Sequence, residues 1–230
     1  MLKYKGLYLI GTSHIAVESI KEVVKAITVH KPQIVALELD EGRFYGLMHK
    51  KRKKPSLKDI YALGVKAFIF TLIGAWVENK LGKVVGTSPG DEMKAAAKVA
   101  KECNAEIALI DRDIRDTLKS LFRQITWKEK FRFLWDLLFG VFSNSNRMAF
   151  DLRKVPDAGI ITKMISHVRK RYPSVYNALI AERNTVMAKH LYNLMVKYDC
   201  IVAVVGAGHE AGIIKEIKSM EKTWNTQKTN

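Results

Sequence analysis

Apolar positions along the chain fall into two rhythms. Short continuous apolar runs, GLYLIG (6–11), QIVALELD (33–40), AEIALIDRD (105–113) and CIVAVVG (200–206), are bounded by charge, proline or glycine. Strands buried on both faces of a parallel sheet have this composition. Between the runs, apolar residues recur at helical spacing, as at Ile20, Val23, Val24 and Ile27 in VESIKEVVKAITVHK. GDEMKAAAKVAKECN reads as another helix, with Asp91 and Glu92 in its first turn, where acidic side chains suit the helix dipole. A last helix follows CIVAVVG over roughly 209–221. Strands alternating with helices at this spacing predict an α/β fold with a mainly parallel sheet flanked by helices.

From Leu118 to Tyr198 the rhythm is helical throughout, in WKEKFRFLWDLLFG, AGIITKMISHVRKRY and SVYNALIAERNTVMAKHLYNLMVKY, with breaks at Pro156 and Pro173. This reads as a helical insertion over about 118–198, placed before the last strand, because Ile201–Val205 is too apolar to stand outside the sheet. The expectation is one domain over 1–230 with a polar tail at 222–230.

Charge changes this picture. The formal net charge is +16, concentrated in KKRKK (50–54), RKRYP (169–173) and the lysines of the ends. Such a balance calls for an acidic partner surface without specifying an activity. No zinc finger, helix-turn-helix or RRM signature accompanies it, which argues against nucleic acid and leaves an anionic lipid surface as the other partner class. The longest uncharged apolar run, AFIFTLIGAWV (67–77), has 11 residues, and a membrane span needs about 20. That run and FRFLWDLLFGVF (131–142) are aromatic-rich and flanked by basic residues, so either could lie on a membrane; buried core helices are the preferred reading. MLKYKGLYLIGTSH has too short an apolar region for a secretory signal. Cys103 and Cys200 sit far apart in apolar-patterned segments and are expected as buried thiols in a reducing compartment. The expected location is the cytoplasm, including the inner face of the membrane, and homo-oligomerisation stays open.

Candidate chemistry lies in a repeat. LYLIGTSHIAVESIKEV (7–23) echoes VAVVGAGHEAGIIKEI (202–217): an apolar strand, Gly-x-x-His, then an amphipathic helix, with His14 and His209 in equivalent places. The second copy resembles a dinucleotide-binding turn, but that fingerprint needs a further strand ending in an acidic residue about 20 residues on. Too little chain remains after Gly212 to supply it. Histidine, rather than glycine, is the shared feature. Ligands collect beyond the carboxyl ends of parallel strands. Neighbouring turns there would bring His14 and His209 together with Glu38 and Asp40 from the second strand and Asp111, Arg112 and Asp113 from the third. Imidazole with carboxylate suits a divalent transition metal (Zn, Mn, Co or Fe), with Glu38 as general base; two capping or core histidines are the alternative.

The segments GTSHIAVESIKEVV, PQIVALELDEGRF, PGDEMKAAAKVAKE, AEIALIDRDIRDTL, LIAERNTVMAKHL and VVGAGHEAGI, in this order, resemble the TraB/PrgY family. That family is distantly related to the Tiki metalloproteases and GumN-like proteins and, by fold, to haem-uptake and erythromycin-esterase-like proteins. The resemblance implies an α/β domain with paired Gly-x-x-His motifs and a glutamate in the second strand, forming a metal-dependent hydrolase site of peptidase type. On this sequence His14 and His209 become metal or catalytic histidines, and Glu38 the acid/base. Arg43, Glu92, Asp111, Arg112, Glu182 and Arg183 fall in the other motifs, as substrate contacts or as salt bridges that align the site. His30, His49, His167 and His190 fall outside them. Many members continue into C-terminal membrane-spanning helices, so this chain is expected to be an excised domain or a short member. Two rival readings are a protein that sequesters a peptide signal or haem-like ligand without turnover, and a membrane-surface scaffold.

Overall fold

A computed structural model describes residues 1–12, 17–49, 90–140 and 158–229. Five strands form one sheet: β1 (Leu2–Tyr4), β2 (Leu7–Thr12), β3 (Ile34–Leu37), β4 (Glu106–Leu109) and β5 (Ile201–Gly206), in the order β1-β2-β5-β3-β4. All neighbours pair in parallel except β1 with β2. The four predicted strands are present. β1 is an addition, joined to β2 by the two-residue Lys5–Gly6 turn that a tight hairpin allows, with Lys5 at φ 52°. Three residues are too few to carry a legible alternation.

The strand residues divide their side chains between two cores because successive residues point to opposite faces. Leu7, Leu9, Ile34, Ala36, Ile201, Ala203 and Val205 pack with Met187, Leu191, Ile213 and Ile217 on one face. On the other face, Ile10, Val35, Leu37, Val202 and Val204 pack with Val23, Ile27, Met93, Ala96 and Ala100. Each fully buried Leu, Ile or Val contributes about 1.5–3 kcal/mol. Covering the second face are α1 (Val17–His30) and α3 (Asp91–Glu102), while α8 (Glu182–Met195) and α9 (Glu210–Thr229) cover the first. Short α2 (Glu41–Met48) follows β3. The stretch predicted as a helical insertion holds α4 (Ile114–Gln124), α5 (Trp127–Gly140), α6 (Ala158–Arg171), α7 (Pro173–Tyr176), a π-helical turn (Asn177–Ala181) and α8.

Local chemistry sets the ends. α3 stops where Asn104 turns left-handed at φ 55° and Ala105 N donates to Ala100 O at 2.8 Å, the cap geometry that asparagine tolerates. α5 starts with a reciprocal cap: Thr126 N donates to Glu129 Oε2 at 3.0 Å, and Glu129 N donates to Thr126 Oγ1 at 3.2 Å.

Three expectations need correction. α9 runs through Thr229, so most of the predicted polar tail is helix; EKTWNTQKT contains no proline or glycine to stop it. Cys103 and Cys200 are free thiols and only half-buried. α5 is not a core helix, for Trp127, Phe131, Phe133 and Trp135 are 73%, 68%, 53% and 63% exposed. The runs KKRKK and AFIFTLIGAWV lie outside the described residues. Among the described residues no helix is long and apolar enough to cross a membrane.

Candidate functional site

β3 ends at Leu37, and the chain then places Glu38 and Asp40 at the carboxyl edge of the sheet; β4 delivers Asp111 beside them. Glu38 is 4% exposed and Asp111 7%. A carboxylate buried so deeply persists only with compensating partners. Arg183, in the first turn of α8, provides them. Its Nη2 donates to Glu38 Oε1 and, at 2.6 Å, to Asp111 Oδ2, while Nε donates to Asp111 Oδ1 at 3.0 Å. Arg43 of α2 donates to Asp111 Oδ2 through Nη2 and to Asp40 Oδ2 through Nε at 2.6 Å. Gly206 N donates to the second oxygen of Glu38. Three carboxylates thus face two guanidinia.

The electrostatics follow from that packing. Burial alone would raise the Asp111 carboxyl, but the Arg183 and Arg43 guanidinia outweigh it and hold Asp111 below the usual carboxylate range. Burial likewise pulls Arg183 down, and Asp111 with Glu38 more than offsets it, so the guanidinium is raised.

His209 closes the turn before α9 and is 7% exposed. Its Nδ1 lies 2.6 Å from Asn184 Oδ1, and its Nε2 lies 3.3 Å from Arg183 Nη1. An acceptor beside Nδ1 and a donor beside Nε2 fit the tautomer that carries its proton on Nδ1. Nε2 is also 3.5 Å from Glu38 Oε1. That separation suits two ligands of one ion held at bonds of about 2.1 Å, although the Arg183 guanidinium contacts the same two atoms. Among the described residues no group of three or more His, Cys, Asp or Glu side chains is placed to hold a metal.

Packing fixes this constellation closely. Gly212 sits against Asn184, and a Cβ there would come 2.1 Å from Asn184 Nδ2. The π turn immediately precedes Glu182, whose N bonds five residues back to Asn177 O, and Arg183 and Asn184 come next. π turns inside α-helices recur at functional sites.

The predicted residues therefore separate into groups. Glu38, Asp111, Arg43, Arg183 and His209 converge, with Asp40 as both N-cap of α2 and partner of Arg43. Arg112 and Glu182 form an adjoining network: Arg112 Nη1 donates to Glu182, which also accepts from Ser120 Oγ at 2.7 Å and from Gln124 Nε2 at 2.5 Å. Arg112 N donates to Asp111 Oδ1 at 2.7 Å and ties the two groups together. Glu92 is buried in the first turn of α3. Asp113 is an N-cap, accepting from Arg115 N at 2.7 Å. His190 Nδ1 bonds Ile110 O at 2.9 Å, His30 stacks on Tyr8 and His49 on Tyr45. His14 lies outside the described residues, although β2 and β5, which lead to the two Gly-x-x-His turns, are direct neighbours with Thr12 opposite Gly206.

A comparison with known families decides the lineage, since the model of the TraB/PrgY/gumN family matches residues 3–223. The chain belongs to this TraB family. An uncharacterized protein of Methanocaldococcus jannaschii is 39% identical over 94% of this chain and 54% of its own length. TraB domain-containing proteins of mouse and human are each 23% identical over 96% of this chain and 63% of theirs. This TraB chain therefore spans between about half and two thirds of those relatives. Sequence reading of the TraB motifs overlooked Asn184, whose only signal was its place beside Glu182 and Arg183. It also gave no role to Gly212, three residues after His209 and so one helical turn along.

Proposed function

We propose that the carboxyl edge of the sheet is a hydrolytic site acting on the amide bond of a peptide. The observation that carries this reading is the meeting of Glu38, His209 and Arg183, with the His209 ring oriented through Nδ1 by Asn184. A divalent transition metal (zinc, manganese or cobalt), held by His209 together with His14, would supply Lewis acidity to the scissile carbonyl. Glu38, whose Oε1 lies 3.5 Å from His209 Nε2, takes the proton from the attacking water. Arg183 keeps Glu38 in position, and Arg43 and Asp111 hold Arg183. Asn184 fixes the tautomer that leaves the Nε2 lone pair facing Glu38 and Arg183.

The 3.3 Å contact from Arg183 Nη1 to His209 Nε2 favours a second reading. The guanidinium then supplies the positive charge at this spot, and His209 Nε2 itself takes the proton from water without a metal. One experiment separates these readings: metal content of the purified protein, and cleavage of a peptide library, for wild type beside Glu38→Gln and His209→Ala. A near-stoichiometric transition metal lost with His209→Ala, and cleavage lost with Glu38→Gln while the fold melts normally, supports the metal-assisted reading. Cleavage without metal that disappears with His209→Ala supports the second. Cleavage undiminished in Glu38→Gln removes Glu38 as the base.

A further inference from the structure

Helix α5 inverts the usual amphipathic arrangement. A surface helix normally turns its apolar stripe toward the core and its charges toward water. Here the acids turn toward the protein, Glu129 fully and Asp136 in part. Glu129, 3% exposed, accepts from Ser174 Oγ at 2.6 Å and from Ser174 N at 2.8 Å. Asp136 accepts from Arg171 Nε at 2.6 Å and also from Tyr172. Three aromatic residues face outward: Trp127, Phe131 and Trp135, spaced four apart, sweep an arc of roughly 80° at about 100° per residue, while Phe133 lies off that arc with its ring edge-on to Tyr172 at 6.4 Å. They are more than half exposed.

The charges around that arc have a single sign. Lys128 and Arg132 lie along one side of it and Lys130 along the other, with Lys130 Nζ 4.3 Å from the Trp127 ring centroid. Both acids of the helix are engaged on its other side, Glu129 in the interior and the part-exposed Asp136 by Arg171 and Tyr172, so among the described residues the arc is aromatic and flanked by basic side chains. Arg169 and Lys170, at the end of the neighbouring α6, are also exposed. A second copy of the chain is disfavoured as occupant, because it would bring an equally basic face and a net charge of +16 against this one.

We propose that the outward face of α5 docks on an anionic lipid surface. Trp127, Phe131 and Trp135 enter the headgroup boundary, where Trp is at home, while Lys128 and Lys130 reach the phosphates from the flanks; Arg132 Nη1 is held by Arg171 O at 2.6 Å. The helix then lies in the plane of the surface and does not cross it. This docking is independent of the chemistry assigned to the sheet edge.

The test is cosedimentation of the full chain with phosphatidylcholine vesicles, with and without phosphatidylglycerol. Wild type is compared with Trp127→Ser/Phe131→Ser and with Lys128→Glu/Lys130→Glu. Both pairs alter exposed positions; the charge reversal keeps the proposal testable should the aromatic pair fail to fold. The expected result is binding only to vesicles containing phosphatidylglycerol, weakened roughly tenfold or more by either pair. Absence of binding by wild type overturns the proposal. So does binding that both pairs leave unchanged, which would put the lipid contact elsewhere on the basic surface. A wild-type dimer that the aromatic pair converts to monomer, without vesicle binding, identifies the face as a self-interface and also overturns it.

Discussion

The sheet edge and helix α5 bury carboxylates to the same depth and satisfy them by different means. Glu38 is 4% exposed and Glu129 3%. Glu38 is held by the Arg183 guanidinium and a backbone N–H, beside an imidazole. Glu129 is held by neutral donors, the hydroxyls and N–H groups of Thr126 and Ser174. Burial of an acid is therefore no mark of a functional site by itself. The partners decide: neutral donors lock an acid in place as an anchor, whereas full charges packed against a histidine create a strong local field.

Removing charge compensation should separate the two regions most sharply. Arg183→Ala leaves Glu38 and Asp111 short of a buried guanidinium, and the expected loss is about 3–5 kcal/mol of stability, read by denaturant unfolding. A loss under about 1 kcal/mol would show that water relieves the edge and that the arginine is dispensable to the fold. Next comes Gly212→Ala, whose Cβ would press on the Asn184 amide. An expected cost of about 1–3 kcal/mol should come with a shifted His209 ring resonance, because Asn184 loses its hold on Nδ1.

Acid titration sharpens the contrast from the other side. Burial works against Glu129, but its hydrogen bonds from Ser174 and Thr126 bring its carboxyl from 4.5 down to about 2. A depressed folded-state value gives stability that is complete above the unfolded value and fades as pH falls from about 4.5 toward 2. Glu129→Gln should flatten that part of the stability profile. The Asp111 contribution, also from a lowered carboxyl, should still decline on acidification in that variant. A profile unchanged by Glu129→Gln would mean that the cap of α5 contributes nothing to acid resistance. The smallest effect belongs to Trp127→Ser. Its side chain is 73% exposed, and the melting free energy should move by no more than about 0.5 kcal/mol. A larger loss would make the aromatic face a structural contact.

Much of the architecture was legible because buried parallel strands leave continuous apolar runs, as in IVAL of β3 and IVAVVG of β5. The convergence of the candidate-site residues was legible where they follow those strands, as Glu38 and Asp111 do, or close the turn into the next helix, as His209 does. Asn184 and Gly212 were not, since their roles depend on how α8 and α9 cross, and no local pattern encodes that contact. Helix α5 misled for a related reason. Its aromatic residues read as core by composition, and only the inward hydrogen bonds of Glu129 and Asp136 reveal which side faces the protein. The signal that could have found its start was TWKE (126–129), a capping box written openly in the sequence.

The π turn at Asn177–Ala181 has a consequence for how the side chains at this edge can change. One residue more or less in a helix swings everything beyond it by roughly 100°. Arg183 and Asn184 follow one residue after that turn, so its length acts as a setting on a dial. A single-residue deletion there would keep the rod helical while aiming different side chains at the imidazole. The irregular turn is thus a point at which evolution could retarget this edge without rebuilding the sheet.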